Sequence, residues 1–149
     1  WINLGGLDLT RWSINAVQFY EILPKNILAL RAFYGEFQRD TSGDIQTFES
    51  EEFPLGGANS LRGYPEWAFV GKRRVLFNLE YRHQLSKDIQ GVLFYDIGSL
   101  FNDTINLDLT QYKIGQGIGF RYITALVPFR IDFAWGQDMI IHFNIGQAF

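Results

Sequence analysis

No cysteine occurs in the 149 residues, which excludes disulfides, thiol nucleophiles and thiolate metal sites. No uninterrupted apolar run approaches the roughly 20 residues that a membrane-crossing helix needs, and no stretch shows a helical period. No signal peptide heads the chain, so an exported protein is read here in mature or trimmed form. Acidic and basic residues nearly cancel, 16 against 13, and no basic run is longer than Lys72-Arg73-Arg74, so nucleic acid is not an expected partner. The two histidines, His83 and His142, fall on different predicted strands without a matching acidic cluster. No metal or cofactor is therefore expected. Gly-x-Ser-x-Gly is missing as well, which removes the serine-hydrolase elbow. No residue is singled out as catalytic, and the expected role is not enzymatic.

What is present is hydrophobic and aromatic. Hydrophobic residues make up 47% and aromatic ones 17%, with 14 Phe, while charged residues are 19%. Such a chain is not disordered, and its aromatic load suits a protein with interfacial girdles. Mean hydropathy is close to zero, as it is in membrane barrels whose wall is apolar on one side and polar on the other. The alternation of residue types predicts about eight strands. The first covers about Ile2 to Thr10 and the second about Ile14 to Ile22, joined near Arg11-Trp12-Ser13. A turn at Leu23-Pro24-Lys25-Asn26 leads to a third strand, about Ile27 to Gln38. The fourth sets Phe77, Leu79 and Tyr81 against Asn78, Glu80 and Arg82. The fifth, about Ile89 to Gly98, sets Leu93, Tyr95 and Ile97 against Phe94, Asp96 and Gly98. The sixth sets Ile114, Ile118, Phe120 and Tyr122 against Gly115, Gly117, Gly119 and Arg121. Pro128 opens a seventh, in which Phe129, Ile131, Phe133 and Trp135 oppose Arg130, Asp132, Ala134 and Gly136. The eighth places Ile141, Phe143, Ile145 and Phe149 opposite His142, Asn144, Gly146 and Ala148.

Strands of about 9–11 residues match tilted membrane-spanning strands. One face is greasy; the other mixes charge with glycine, a residue useful where a loop must approach a wall. Residues 39–71 form a long stretch punctuated by Gly43, Pro54, Gly56, Gly57, Gly63 and Pro65. A segment of that length usually has a function. It is expected to fold back over the inner wall and plant Arg62, held in the turn Leu61-Arg62-Gly63, on Asp96 or Asp132. Gly115-x-Gly117-x-Gly119 alternates within a strand, so the glycines are expected to leave room for that loop and not to cradle phosphate. Short turns at 23–26, 86–88 and 124–127 lie on one side, and the long segments 39–71 and 99–112 on the other. That is the asymmetry of outer-membrane barrels.

Four motifs carry a resemblance. Leu55-Gly56-Gly57-Ala58-Asn59-Ser60-Leu61-Arg62-Gly63-Tyr64 ends in Arg-Gly-aromatic. Phe94-Tyr95-Asp96-Ile97-Gly98 has the form Phe-x-Asp-x-Gly. Gly117 to Arg121 is followed by Pro128-Phe129-Arg130-Ile131-Asp132, and the chain closes with His142 to Phe149. Over roughly residues 25–149 the sequence resembles the C-terminal barrel of the bacterial surface antigen superfamily, which includes outer-membrane barrel-assembly proteins and two-partner-secretion transporters. The resemblance implies an all-β, antiparallel transmembrane barrel domain over 1–149 in a bacterial outer membrane. It implies a loop lock built from Arg62, Gly63, Tyr64, Asp96 and Asp132. Glu80 and Arg82 beside Arg121 and Arg130 are read most simply as lumen charges that pair with each other. Phe143, Ile145 and Phe149 would form the C-terminal strand signal. The implied role is insertion or passage of unfolded outer-membrane or secreted proteins.

Barrels of that family have sixteen strands behind periplasmic domains, whereas about eight are read here. A half-barrel completed by a second copy is therefore the expected form, since unpaired strand edges are not tolerated in lipid. Three readings compete. One is a monomeric eight-strand structural barrel, for which eight strands suffice; another is a membrane anchor for a lipase-type domain; the third is a soluble sandwich.

Overall fold

A computed structural model describes residues 2–3, 8–40, 52–102 and 111–149. Ten strands occur among them: β1 (Ile2–Asn3), β2 (Asp8–Leu23), β3 (Asn26–Asp40), β4 (Phe53–Leu55), β5 (Phe69–Gly71), β6 (Arg73–Gln84), β7 (Ile89–Phe101), β8 (Lys113–Tyr122), β9 (Phe129–Trp135) and β10 (Met139–Ile145). Eight of them form one sheet in the order β1-β2-β3-β6-β7-β8-β9-β10, and β4 pairs with β5 separately. Every pairing is antiparallel. The sheet is open: among the described residues β1 pairs only with β2, and β10 only with β9. Among the described residues no closed barrel is formed.

Three sequence expectations need correction. The turn expected at Arg11-Trp12-Ser13 is absent, because these residues lie inside β2, paired in register with Phe37, Glu36 and Gly35 of β3. The second is the stretch 39–71, which is not irregular throughout. Phe53↔Gly71 and Leu55↔Phe69 pair, so the inward arm leaves and rejoins the wall through its own short ladder. Residues 41–51, which belong to that expected loop, lie outside the described residues, as do 103–110 of the second long loop. The third is the last strand, which stops at Ile145. Gly146 follows at φ 101°, a conformation that glycine takes without penalty. Beyond it Phe149 leaves the outer face, and its ring lies 5.6 Å from Arg82 Cζ on the inner side.

Alternation sorts the wall into two faces. The inner face is the one over which residues 53–71 pack. Its core is Phe33, Phe37, Leu76, Phe53, Leu55, Leu61 and Tyr64, so the wall and the arm contribute in nearly equal number. The outer face carries Phe77, Leu93, Ile118, Phe120, Ile141 and Phe143, all exposed, Phe143 by 66%. No described protein layer covers them. Apolar side chains in such a continuous array belong in contact with lipid or a partner, and the arrangement is the opposite of a sandwich, which buries its apolar face.

Candidate functional site

The site is built by register. Asn78, Asp96 and Gly115 form one cross-strand row over β6, β7 and β8. Glu80, Phe94, Gly117 and Ala134 form the next, and Arg82, Val92, Gly119, Asp132 and His142 the one after. All twelve of these positions face inward, which concentrates charge and glycine on one patch of wall.

Arg62 descends onto this patch and is 1% exposed. Its Nε donates to Asp96 Oδ2 and its Nη2 to Asp96 Oδ1, each at 2.7 Å, a bidentate fork. Its backbone N–H donates to Asp96 Oδ2 at 3.2 Å. Nη1 donates to Glu80 Oε1 at 2.6 Å and stands 3.5 Å from Asp132 Oδ2. The guanidinium also lies over the Phe94 ring, 3.6 Å from its centroid. Burial alone would lower the pKa of Arg62, but Asp96, Glu80 and Asp132 outweigh it and push the pKa above its already high ordinary value. The group is thus a permanent cation sealed against three fully buried acids.

The remaining wall charges pair around these acids. Arg82 Nη2 lies 2.7 Å from Glu80 Oε2. Arg121 donates to Asp132 and stands 3.5 Å from Glu80. Arg130 Nε is 3.3 Å from Asp132. Asp132, offered by the sequence as an equal alternative to Asp96, is a more distant partner of Arg62. Glu80, read only as a lumen charge, is a direct one.

A second set of contacts was not legible in the sequence. Wall donors grip the backbone of the arm: Arg74 Nη1 bonds Pro54 O at 2.6 Å, Arg130 Nη2 bonds Ala58 O at 2.8 Å, Arg31 Nη1 bonds Asn59 O at 3.0 Å, and Asn78 Nδ2 bonds Ser60 O at 2.7 Å. Carbonyls of loops carry no residue-type signal, which is why no motif announces these bonds. Within the arm, Ser60 Oγ donates to Gly56 O at 2.6 Å, and Glu66 accepts from Ala58 N–H at 2.9 Å. Gly63, at φ 84°, turns the chain so that its carbonyl accepts from Gln137 N–H at 3.1 Å, in the β9–β10 hairpin. Tyr64 is buried and its ring tilts against Phe69, 5.6 Å between centroids.

The glycine stripe is only partly what the sequence suggested. A Cβ at Gly115 would collide with the Arg62 carbonyl, so this glycine does admit the loop. At Gly117 a Cβ would instead meet the backbone carbonyl of Phe133 on the neighbouring strand and then the Phe94 ring, and at Gly119 the Asp132–Arg121 pair. Those two make room for other parts of the wall, not for the loop. His83 sits on the outer face beside Asn26, whereas His142 is inward and buried. Phe143 and Ile145 are exposed on the outer face of β10, apart from the charged patch.

Known proteins share this arrangement of strands. The chain is similar to the crystal structure of BamA from Haemophilus ducreyi lacking POTRA domains 1–3, with a TM-score of 0.71 over 97% of this chain and 35% of that one, at 14% identity. In sequence it is 30% identical over 107 residues to outer envelope protein 80, chloroplastic, of Arabidopsis thaliana, covering 64% of this chain and 15% of that protein. It is 24% identical over 168 residues to the outer membrane protein assembly factor BamA of Nitratidesulfovibrio vulgaris, covering 97% of this chain and 21% of that protein. The chain thus spans only 15% and 21% of the length of these two curated relatives. The model for the Omp85 superfamily domain matches residues 3–149, nearly end to end, and on that ground the chain belongs to the Omp85 superfamily.

Proposed function

We propose that this chain is barrel wall of an outer-membrane protein that inserts or passes unfolded proteins, in a bacterial outer membrane. Its mechanism is not catalytic. The observation that carries the reading is the buried tether of Arg62 on Asp96 and Glu80, which fixes the arm to the inside of the wall. In this reading Arg62, Gly63, Tyr64, Asp96 and Asp132 act as a loop lock that holds the interior in one arrangement. Glu80, Arg82, Arg121 and Arg130 keep the lock's charges compensated.

The edge of β10 is where an incoming strand would add by backbone pairing. Among the described residues Met139–Ile145 pairs only with β9, which leaves the donors and acceptors of its other edge without a strand partner there. On the same count β2 offers a longer edge, since only Asp8 and Leu9 of its residues pair with β1. In lipid both edges require partners, and a second copy completing a larger barrel supplies them. The alternative of a small structural or anchor barrel is favoured by no comparable observation.

The deciding experiment uses Arg62→Ala in a strain or organelle that depends on this protein. Loss of substrate assembly, with the wall still inserted and the arm newly cleaved by added protease, supports the reading. Full activity with an unprotected arm would remove the lock from the mechanism.

A further inference from the structure

Inner-face glycines on β8 are explained by what lies over them. Gly91 of β7 is not. It stands on the outer face in the row His83, Gly91, Phe120. It is not among the glycines with positive φ, and a Cβ built there meets only the flexible end of Leu85, at 3.3 Å. Neither backbone conformation nor close approach within the chain demands glycine. A glycine inside a strand weakens it and often marks a place where something else nears the backbone.

The missing side chain opens a groove of about 280 Å³, walled by Tyr81, His83, Leu85, Leu93, Ile118 and Phe120. The trough is apolar except near one end. There His83 Nδ1 lies 2.8 Å from Asn26 Oδ1, which also accepts from the Tyr81 hydroxyl. Just beyond are two short turns with exposed Lys25 and Lys87. Gln84 joins them: its N–H donates to Lys25 O at 2.9 Å and its side-chain amide to Lys87 O at 3.4 Å. Asp88 is the acid of the second turn. An apolar trough that ends at a polar cluster, followed by two turns each carrying an exposed lysine, matches the chemistry of a phospholipid, chain below and phosphate above.

We infer that the Gly91 groove seats one acyl chain of an anionic glycerophospholipid from the leaflet at the short-turn end, its phosphate on Lys25 and Lys87. This rests on the membrane-spanning reading above. It differs from general lipid contact in naming one seat, one headgroup charge and one leaflet.

The test uses the whole chain in mild detergent with phosphatidylglycerol added, read by native mass spectrometry. The unaltered protein retains one phosphatidylglycerol. Gly91→Leu fills the groove and lowers retention about fivefold, the order expected when several close-packed methylene contacts are lost. Replacing Lys25 and Lys87 together by Gln removes the preference over phosphatidylcholine. A second measurement needs no variant: a phosphatidylglycerol with a photoreactive acyl chain labels 85–93 and 118–120 in preference to the rest of the outer face. Uniform labelling, or equal retention by Gly91→Leu, overturns the inference. If the unaltered chain fails to float with phosphatidylglycerol vesicles, the membrane reading itself falls, and the inference with it.

Discussion

Arg62 is the residue whose loss should be felt most locally. Removing one partner of a buried, hydrogen-bonded ion pair costs about 3–5 kcal/mol, because the other partners are left charged and dry. Arg62→Ala is expected to release residues 53–71 from the wall, seen as rapid hydrogen exchange and proteolysis there, while the strands stay protected. Arg62→Lys should rescue little, since an ammonium cannot reproduce the two-pronged contact with Asp96. A raised arginine pKa contributes stability at all pH values below its ordinary one and loses it only above. Arg62 therefore adds no slope to arm protection at neutral to mildly alkaline pH, and protection is expected to be flat between about pH 7 and pH 9, measured by exchange corrected for intrinsic rate. Glu80 is contacted by Arg62, Arg82 and Arg121. Glu80→Ala should thus destabilise the whole wall by about 3–5 kcal/mol, in contrast to the local effect at Arg62. Calorimetry of the detergent-solubilised protein separates the two.

At the scale of elements, the arm is a plug held by two unlike means. Its apolar residues Phe53, Leu55, Leu61 and Tyr64 complete a core with β3 and β6, while arginines and Asn78 of the wall bond its carbonyls. Leu61→Ala should cost about 2–5 kcal/mol by leaving a cavity, and its effect on arm exchange should resemble that of Arg62→Ala. β8 gives a sharper case. Gly115→Ala adds one carbon that collides with the Arg62 carbonyl, so it should free the arm without touching any charge. Exchange over residues 60–64 reports this directly; unchanged protection would mean that the arm rides higher above β8 than described. Alternation alone was enough to assign the faces of β6 to β9, because each has one buried and one exposed side. It failed on β2, whose described side chains are exposed throughout. Without contrast between faces, the polar pair around Trp12 resembled a turn.

Over the described residues the main sheet is open and its outer face is apolar and exposed, as suits a wall in lipid. A charge at its middle discriminates environments. Ile118 lies in the outer row with Leu93, Phe133 and Ile141. Ile118→Arg should cost about 2–4 kcal/mol if that row sits near the bilayer midplane, against almost nothing for a water-facing position. Unfolding in lipid vesicles measures it. If a second copy pairs the free edges of β2 and β10, the detergent particle should contain twice the 17.2 kDa of one chain. The absence of cysteine makes single introduced thiols on those edges clean reporters of the pairing.

The sequence by itself determined the type of wall. Period-two alternation, a greasy face against a face of glycine and charge, and an arginine in a glycine-bounded turn are all local properties, set by the backbone's pleat and by residue chemistry. Only the tertiary structure decided which acids receive Arg62, which carbonyls hold the arm and which glycines serve it. Those depend on register across four strands, where a shift of one residue would turn every side chain to the opposite face.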